Sequence, residues 1–453
     1  MFNAETMKIA LVSMPSQNYW YPAPSIVFLK AVLNRENIKS TCFDLNNAFI
    51  TKFGEDSIYW CESGDNYNPE YRSFVEEYAK RFEGYDYIGA SVFTLNSQIF
   101  TRLFCSVVRD MFPAAKIILG GAGTKNNHTD LETISLNFDQ DMINEGLADY
   151  AVIGEGDKAL PALLRGEPYK FAQMADIKNL PIPDYSDIDF SLYSRPTIIV
   201  TGSRGCVRKC TFCDVAKNWP KYRFRPGEEV ANEFIHQYYT YGITDFHFSD
   251  SLVNGSLKEF RVFCKVLAAA NLPIEWKGQF IFRSGMTDED WDNLAASGCK
   301  AVWIGIESGS DSVRWHMKKK FNNKDMFNSI EALGKRNIEM IYLLIVGYPT
   351  ETEKDFEDTL DLLRKSAAYK HLIQIRCNIA MLLPDTAILE DTDLWHGDVQ
   401  HWKSWTEDGE LTYKIRYDRW EKLHEVSREI GFVQDGRFEQ QKKLIVRKLE
   451  TEA

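Results

Sequence analysis

The stretch Gly202-Ser-Arg-Gly-Cys-Val-Arg-Lys-Cys-Thr-Phe-Cys-Asp214 carries three cysteines, Cys206, Cys210 and Cys213, at C-x3-C-x2-C spacing. It follows an apolar, β-rich run that ends at Thr201. Three thiolates on one short loop are suited to hold three corners of a [4Fe–4S] cluster. Because the fourth iron would have no protein ligand, the motif predicts an open metal position at which a substrate or cofactor binds.

A zinc site and a disulfide framework are two other interpretations of the cysteines. A structural zinc site normally has four closed ligands, but the next cysteine is Cys264 and the nearest histidines are His236 and His247. A disulfide framework is typical of small secreted proteins. The spacing therefore favours the cluster, and zinc or free thiols remain the alternatives.

Short apolar runs alternate with helix-like stretches after this loop, which is typical of parallel β/α units. In barrels built from such units, the chemistry lies at the carboxyl ends of the strands. Polar residues follow the predicted strands at these ends: Ser249, Asp250, Arg283 and Glu307.

The loop resembles the signature of the radical S-adenosylmethionine (SAM) superfamily, and the resemblance covers about residues 195–390. Ala301–Ser310 is similar to the family's G-I-E-S-G-S strand end, and Gly347–Thr352 is similar to its G-x-P-x-E-T segment. The resemblance implies a [4Fe–4S] cluster, SAM as cofactor, and a 5′-deoxyadenosyl radical that abstracts hydrogen from the substrate.

The same resemblance implies roles for the SAM-site residues. Phe212 would pack on the adenine, Glu307 would accept from the ribose hydroxyls, and Lys319 would face the carboxylate. Arg283 is the second candidate for the carboxylate, and Ser249 and Asp250 would lie near the amine. Lys318 to Lys320 are equally compatible with a solvated helix face.

Residues 7 to about 170 predict a separate doubly wound parallel sheet, in which ligands bind beyond the carboxyl ends of the strands. Its order resembles the cobalamin-binding domain that precedes the barrel in one subgroup of the superfamily. The resemblance implies cobalamin contacts from two glycine-rich turns and from one polar turn: Gly120, Gly121, Gly154, Glu155, Gly156, Thr94 and Asn96.

One departure weakens the cobalamin prediction. The D-x-H-x-x-G motif, whose histidine ligates cobalt in many cobalamin proteins, does not occur, and His128 lacks its spacing. Some relatives leave that face of cobalt unligated. A Rossmann-like domain that only shapes the substrate pocket is therefore the alternative.

The predicted fold class is α/β: an N-terminal doubly wound (Rossmann-like) parallel sheet, then a partial TIM-type β/α barrel and a small, mainly helical C-terminal segment. The predicted boundaries are 1–171 for the first domain, 172–195 for a linker that its prolines keep extended, 196–390 for the barrel and 391–453 for the C-terminal segment.

The predicted function is a radical SAM enzyme, with cobalamin-dependent methyl transfer to carbon as the leading activity. The alternatives are a cobalamin-independent rearrangement, cyclisation or oxidation of a small metabolite, a methylthiotransferase, and a non-catalytic metal-binding protein. Methylthiotransferases carry three N-terminal cysteines for a second cluster, but Cys42, Cys61 and Cys105 have the wrong settings and predict buried free thiols. No catalytic radical-quenching residue is marked.

Composition restricts the partners. The 453 residues carry a formal net charge of −12, which argues against a broad nucleic-acid surface. The sequence shows neither a signal-peptide pattern nor an apolar run of membrane-spanning length, and nine cysteines fit a reducing cytoplasm. The expected partners are a small-molecule or peptide substrate and a one-electron donor such as flavodoxin or ferredoxin.

Overall fold

The fold is taken from a computed structural model. It describes residues 7–15, 17–125, 134–168, 176–383, 386–391, 411–433, 438, 442–443 and 446. His128, and Trp395, Trp402 and Trp405 of the C-terminal segment, lie outside these ranges. Contacts divide the chain into two compact units, 1–198 and 199–453, and the division falls within one strand. The predicted boundaries at residues 171, 195 and 390 stay predictions.

Two parallel sheets and one short hairpin contain the strands. The strands are β1 (Lys8–Ser13), β2 (Lys39–Phe43), β3 (Tyr87–Ser91), β4 (Lys116–Gly120), β5 (Tyr150–Val152), β6 (Thr197–Val200), β7 (Ser203–Arg204), β8 (Arg223–Phe224), β9 (Asp245–Phe248), β10 (Glu275–Phe280), β11 (Cys299–Glu307), β12 (Glu339–Val346) and β13 (Ile373–Ile379).

Helices connect the strands. The α-helices are α1 (Pro24–Arg35), α2 (Leu45–Phe53), α3 (Glu55–Ser63), α4 (Glu70–Ala79), α5 (Gln98–Met111), α6 (Phe138–Asn144), α7 (Gly156–Leu164), α8 (Val215–Asn218), α9 (Gly227–Tyr241), α10 (Leu257–Ala270), α11 (Asp288–Ala296), α12 (Asp311–His316), α13 (Asn323–Lys335), α14 (Glu353–Lys365), α15 (Ala387–Glu390) and α16 (Tyr413–Ile430). Short 3-10 helices span Lys80–Phe82, Leu95–Ser97, Ala122–Thr124, Phe190–Leu192 and Ala367–Leu372.

The first unit is a doubly wound sheet with strand order β2-β1-β3-β4-β5. This order reverses direction between β1 and β3, and ligands of such sheets bind beyond the strands at that point. The strands are apolar because helices cover both faces; every residue of β1 after Lys8 is buried. An aromatic core around Phe49, which contacts Trp60, Tyr71 and Phe100, fills one side.

The segment before the barrel packs on the first unit through polar contacts. Lys30 of α1 is buried and forms an ion pair with Asp187 at 2.6 Å, and its Nζ donates to Ser186 Oγ at 2.7 Å. Tyr193 donates its hydroxyl to Asp44 Oδ2 at 2.6 Å. These contacts tie residues 184–193 to the start of α1 and α2.

The second unit is built on a six-stranded parallel sheet with order β13-β12-β11-β10-β9-β6. Apart from the β7–β8 hairpin, which forms a separate sheet, each strand lies beside the next one in the chain, which is the arrangement of a β/α barrel. The sheet has six strands, so the barrel is partial, and the predicted fold class is confirmed. The carboxyl ends of all these strands lie at one edge of the sheet, where Ser249 and Asp250 follow β9, Arg283 follows β10 and Glu307 ends β11.

Helix α16 covers the barrel beside β13. Trp420 is fully buried and donates its indole N–H to Cys377 O at 2.9 Å, and Arg419 pairs with Glu351 at 2.9 Å. Trp420 is therefore a core residue. No helix in the described part of the chain has both the length and the apolar composition that a membrane span requires.

Candidate functional site

The three-cysteine loop lies between β7 and β8, which pair as a short antiparallel hairpin. Gly205 enters the loop with φ +83°, and a Cβ there would lie 2.9 Å from Lys221 O and 3.1 Å from Trp219 Cβ. Only glycine adopts this left-handed conformation without strain while the backbones come so close. The glycine before Cys206 thus sets the direction in which the loop leaves the sheet.

Thr211, between the second and third cysteines, is held by three other elements. Its N–H donates to Met317 O at 3.3 Å, and its carbonyl accepts from Ile388 N at 2.8 Å. Its hydroxyl lies 2.9 Å from the hydroxyl of Tyr348. Both side chains are buried. Contacts from α12, from the end of β12 and from α15 therefore fix the loop that carries the thiols.

The three thiols lie near one another and are half-buried. Burial raises the pKa of Cys210, and burial and the two neighbouring thiols raise the pKa of Cys213 to about 11. Three thiolates are costly here without positive charge, which the irons of a cluster supply. Among the described residues, no three His, Cys, Asp or Glu side chains come together as they would around one metal ion. A cubane cluster does not need such a group, because each cysteine binds a different iron. The donor set fits a cluster.

Glu307 and Lys319, predicted separately, form a buried ion pair. Lys319 Nζ donates to Glu307 Oε1 at 2.9 Å, and both side chains are less than 10% exposed. Burial alone would lower the pKa of Lys319, but the Glu307 carboxylate, together with the Cys210 and Cys206 thiols, raises it above its usual value. A Cβ on Gly305 would lie within 3 Å of both groups, so a glycine two residues earlier makes room for the pair.

The backbone at Glu307 is strained. Its φ is +68°, and the pairing of β11 with β12 shifts register between Gly305 and Glu307. A non-glycine residue in this region costs about 1–3 kcal/mol and is held there by its surroundings. Such strain is concentrated at functional sites; here it accompanies the pair with Lys319.

Asp250 is buried and turned toward the start of the cysteine loop. Its Oδ1 accepts from Gly202 N at 2.8 Å, and its Oδ2 accepts from Ser203 Oγ at 2.5 Å. Burial raises its pKa to about 7, against the effect of these bonds. Its neighbour Ser249 is exposed and lies 2.8 Å from Thr201 Oγ1. The structure therefore places Asp250 under the loop and Ser249 at the open strand end.

The structure adds one residue, Arg208, that the sequence did not indicate. Arg283 Nη1 donates to Gly255 O at 2.8 Å, and its charge acts on Arg208, inside the cysteine loop. Burial, then repulsion from Arg283, lowers the pKa of Arg208, and its buried Nε has no hydrogen-bond partner among the described residues. Arg208, which lies between Cys206 and Cys210 in the loop, is thus within electrostatic range of a second guanidinium group, and two such groups suit an anion. The sequence contains no signal that would single out Arg208 from the neighbouring cation Lys209.

Phe212 is half-buried against an apolar cluster. Its ring lies 5.9 Å from Lys319 Nζ. The cluster includes Val313, Met317 and Tyr348. Phe212 therefore contacts the elements that hold Thr211.

In the first unit, two of the predicted turns contact each other. A Cβ on Gly121 (φ +106°) would lie 2.4 Å from Val92 O, and one on Gly123 would lie 2.1 Å from Thr94 O. Gly123 N also donates to Val92 O at 2.9 Å. The two turns approach each other so closely that a side chain at Gly121 or Gly123 would clash with the backbone of the other turn.

The remaining residues predicted to contact cobalamin lie at the same carboxyl-end edge of the first sheet. Thr94 Oγ1 lies 3.4 Å from Ser97 Oγ, Asn96 is half-buried, and Glu155 is buried at the start of α7. Gly120 ends β4, Gly154 has φ +87°, and a Cβ on Gly156 would lie 3.1 Å from Leu29.

Two aromatic side chains are exposed on the loops that follow β1 and β3: Trp20, which is 46% exposed, and Phe93, which is 50% exposed. Exposed apolar surface at a ligand-binding edge suits a large apolar ligand such as a corrin.

Residues 200–363 match the family model described as the Radical SAM superfamily. This part of the chain is therefore a radical SAM domain, and the predicted resemblance is confirmed.

Curated relatives match over part of their length. An uncharacterised methyltransferase of Pyrococcus horikoshii is 24% identical over 206 residues, which are 45% of this chain and 44% of the relative. A tRNA-2-methylthio-N(6)-dimethylallyladenosine synthase of Aquifex aeolicus is 29% identical over 177 residues, 37% of this chain and 40% of the relative. The chain thus spans less than half the length of these two relatives.

Solved structures are similar over both units. TsrM of Kitasatospora setae, a radical S-adenosylmethionine methyltransferase with cobalamin and a [4Fe–4S] cluster bound, has a TM-score of 0.61 at 15% identity and covers 84% of this chain and 74% of its own. OxsB, a cobalamin-dependent S-adenosylmethionine radical enzyme, has a TM-score of 0.61 at 15% identity and covers 94% and 62%. The chain therefore has the fold of these enzymes.

Proposed function

We propose that the protein is a radical SAM enzyme that transfers a methyl group to a carbon atom with the help of cobalamin. One observation carries the first part: the three-cysteine loop, fixed at Thr211, contains Arg208 and lies within electrostatic range of Arg283 and of the buried Glu307–Lys319 pair. Thiol ligands, a carboxylate acceptor and an anion site are the groups that a cluster with SAM requires.

Cys206, Cys210 and Cys213 would hold the cluster. When bound, the cluster supplies the electron that breaks the C5′–S bond of SAM and gives the 5′-deoxyadenosyl radical. Because Glu307 neutralises Lys319, we assign the SAM carboxylate to Arg208 and Arg283, where charge-assisted hydrogen bonds are available. Glu307 Oε2 accepts no hydrogen bond from a described residue, and we assign it to a ribose hydroxyl.

The remaining assignments concern the orientation of SAM. Phe212 would pack on the adenine, Ser249 would face the amine from the open strand end, and Asp250 would act through the Gly202 N–H and the Ser203 hydroxyl that it binds. The protein contributes positioning and the exclusion of water, while the cofactor carries the hydrogen abstraction.

The cobalamin assignment rests on the first unit. Its sheet order, the exposed aromatic rings of Trp20 and Phe93, and the fold shared with TsrM and OxsB support it. The strand-end turns that contain Thr94, Asn96, Gly120, Gly121 and Gly154–Gly156 would border the ligand. Cobalamin, when bound, carries the methyl group.

A methylthiotransferase is the second candidate, because one such enzyme is among the relatives. It requires three N-terminal cysteines on one cluster. Cys42 lies in β2, Cys61 in α3 and Cys105 in α5, and all three are buried free thiols whose pKa values burial raises. Three elements of a packed core are a poor cluster site, which supports the methyltransferase over this alternative.

The test is anaerobic reconstitution with iron, sulfide and hydroxocobalamin, followed by desalting and metal analysis. We expect about four irons and about one cobalt per chain, and 5′-deoxyadenosine when SAM and a reductant are added. Iron without cobalt would leave a cobalamin-independent radical enzyme. A single zinc without iron would contradict the radical SAM assignment.

A further inference from the structure

The segment Trp315–Lys320 has an unusual surface for a soluble protein. Trp315 is 80% exposed, the highest value among the exposed large apolar side chains of the described chain. Lys318 and Lys320 are exposed, as is Lys209 in the cysteine loop. None of these three lysines has an ion-pair partner among the described residues. The nearby Asp311 is engaged by Arg314.

The exposure of these cations follows from the site beneath them. Met317 and Lys319 are buried, so the alternate residues project outward. Lys318 and Lys320 have φ values of +58° and +57°, a left-handed conformation that lysine rarely adopts. The backbone therefore accepts strain at two positions, and both charges stay in solvent when Lys319 reaches Glu307.

This segment contacts the cysteine loop directly. Met317 O accepts the N–H of Thr211, which adjoins Cys210, at 3.3 Å. Lys319 acts electrostatically on both Cys206 and Cys210. A molecule that binds on Trp315 and the exposed lysines is thus separated from a cluster ligand by one short segment and one hydrogen bond.

We propose that Trp315, Lys318, Lys320 and Lys209, the Trp315 surface, dock a small acidic protein that carries one electron, such as a reduced flavoprotein or iron–sulfur protein. The inference rests on the proposed function. The carrier is oxidised by one electron, and the cluster held by the three cysteines is reduced by one. No proton or group is transferred.

Charge and size favour this partner. The whole chain carries a net charge of −12, so an acidic partner is repelled in general and attracted only at a local basic surface. Redox encounters bury small interfaces and rely on electrostatic steering, and an exposed tryptophan is a frequent binding hot spot. Four residues are too few for the basic footprint that RNA requires.

The experiment measures reduction of the reconstituted full-length protein by stopped flow, with reduced flavodoxin as the protein donor and dithionite as the small donor. We expect K318E/K320E to lower the second-order rate constant with flavodoxin about 10-fold or more at low salt. The salt dependence should weaken in the variant. W315A should lower the rate constant at both low and high salt.

Matched controls change the same charge elsewhere. K258E/K265E alters two exposed lysines of α10, and Y239A removes another exposed aromatic ring; both should leave flavodoxin reduction unchanged. K318Q/K320Q, which removes half as much charge, should give an intermediate rate. Circular dichroism and iron content show whether each variant folds and holds its cluster.

The proposed function and the docking role of the Trp315 surface are tested by different measurements. Dithionite-driven cleavage of SAM tests the proposed function, and its absence in the wild type would contradict that function. Normal dithionite-driven cleavage, with equal flavodoxin rates in wild type and K318E/K320E, would overturn the docking surface alone. Loss of tRNA binding in K318E/K320E with unchanged reduction would also overturn it and assign the surface to nucleic acid.

Discussion

The hydroxyl groups of Thr211 and Tyr348 lie 2.9 Å apart, although 137 residues separate them in the chain. Tyr348 follows β12 and belongs to the segment that resembles the family's G-x-P-x-E-T motif. Glu351 of the same segment accepts from Gly347 N at 3.0 Å and pairs with Arg419 of α16. The cysteine loop is thereby connected to the C-terminal helix through one turn.

This contact predicts a non-additive mutational effect. Tyr348→Phe leaves the buried Thr211 hydroxyl without this partner, and Thr211→Val does the same to Tyr348, so each should cost about 1–3 kcal/mol. The double variant T211V/Y348F should cost less than the sum, since both polar groups are removed. Thermal unfolding and iron content after reconstitution measure the effect; strictly additive losses would show that the hydroxyls do not interact.

Cys210→Ala should abolish the visible absorbance of the reconstituted protein and its cleavage of SAM, because two thiolates cannot hold the cluster. The matched control is Cys264→Ala, which changes a buried free thiol of α10. It should keep full iron content while losing about 1 kcal/mol from the smaller core side chain. Equal iron loss in both variants would argue against the ligand assignment.

Glu307→Gln should destabilise the protein by about 3–5 kcal/mol, because it leaves the buried Lys319 ammonium without its carboxylate. In E307Q/K319M the uncompensated charge is gone, and most of the stability should return. Urea unfolding of the two variants and of the wild type provides the comparison. If the double variant were as unstable as the single one, the pair would not be coupled.

Arg208→Met and Arg283→Met should each weaken SAM binding about 10- to 100-fold, through loss of a charge-assisted hydrogen bond. The control is a matched ligand: decarboxylated SAM has no carboxylate, and its affinity should change little in either variant. Calorimetry on the reconstituted protein measures both. Parallel losses for the two ligands would contradict the assignment of this site to the carboxylate.

The stability should fall as pH rises from about 4 to about 7, because the folded state keeps Asp250 protonated up to a pKa of about 7. In the unfolded chain this carboxyl ionises near pH 4, so in that window the folded state binds more protons and a rise in pH favours unfolding. Asp250→Asn removes the titration. Its melting temperature relative to wild type should therefore be higher at pH 7.5 than at pH 5; a constant difference would refute the raised pKa.

The strand pattern and the cysteine spacing are sufficient to predict the two-sheet α/β fold and the loop of three cysteines. Apolar runs at regular spacing predict parallel strands because burial on both faces excludes polar residues, and C-x3-C-x2-C specifies its ligands locally. The strand-end positions of Ser249, Asp250 and Glu307 follow from the same pattern.

How these residues combine depends on contacts between distant segments. Whether a lysine meets Glu307 depends on where Lys319 turns inward between two exposed lysines, and local sequence does not distinguish the three. The pairing of Arg208 with Arg283, the Tyr348 contact with Thr211 and the bonds that occupy Asp250 join residues far apart in the chain. Burial and partner geometry set their charges and hydrogen bonds, and both arise only when the strands bring distant segments together.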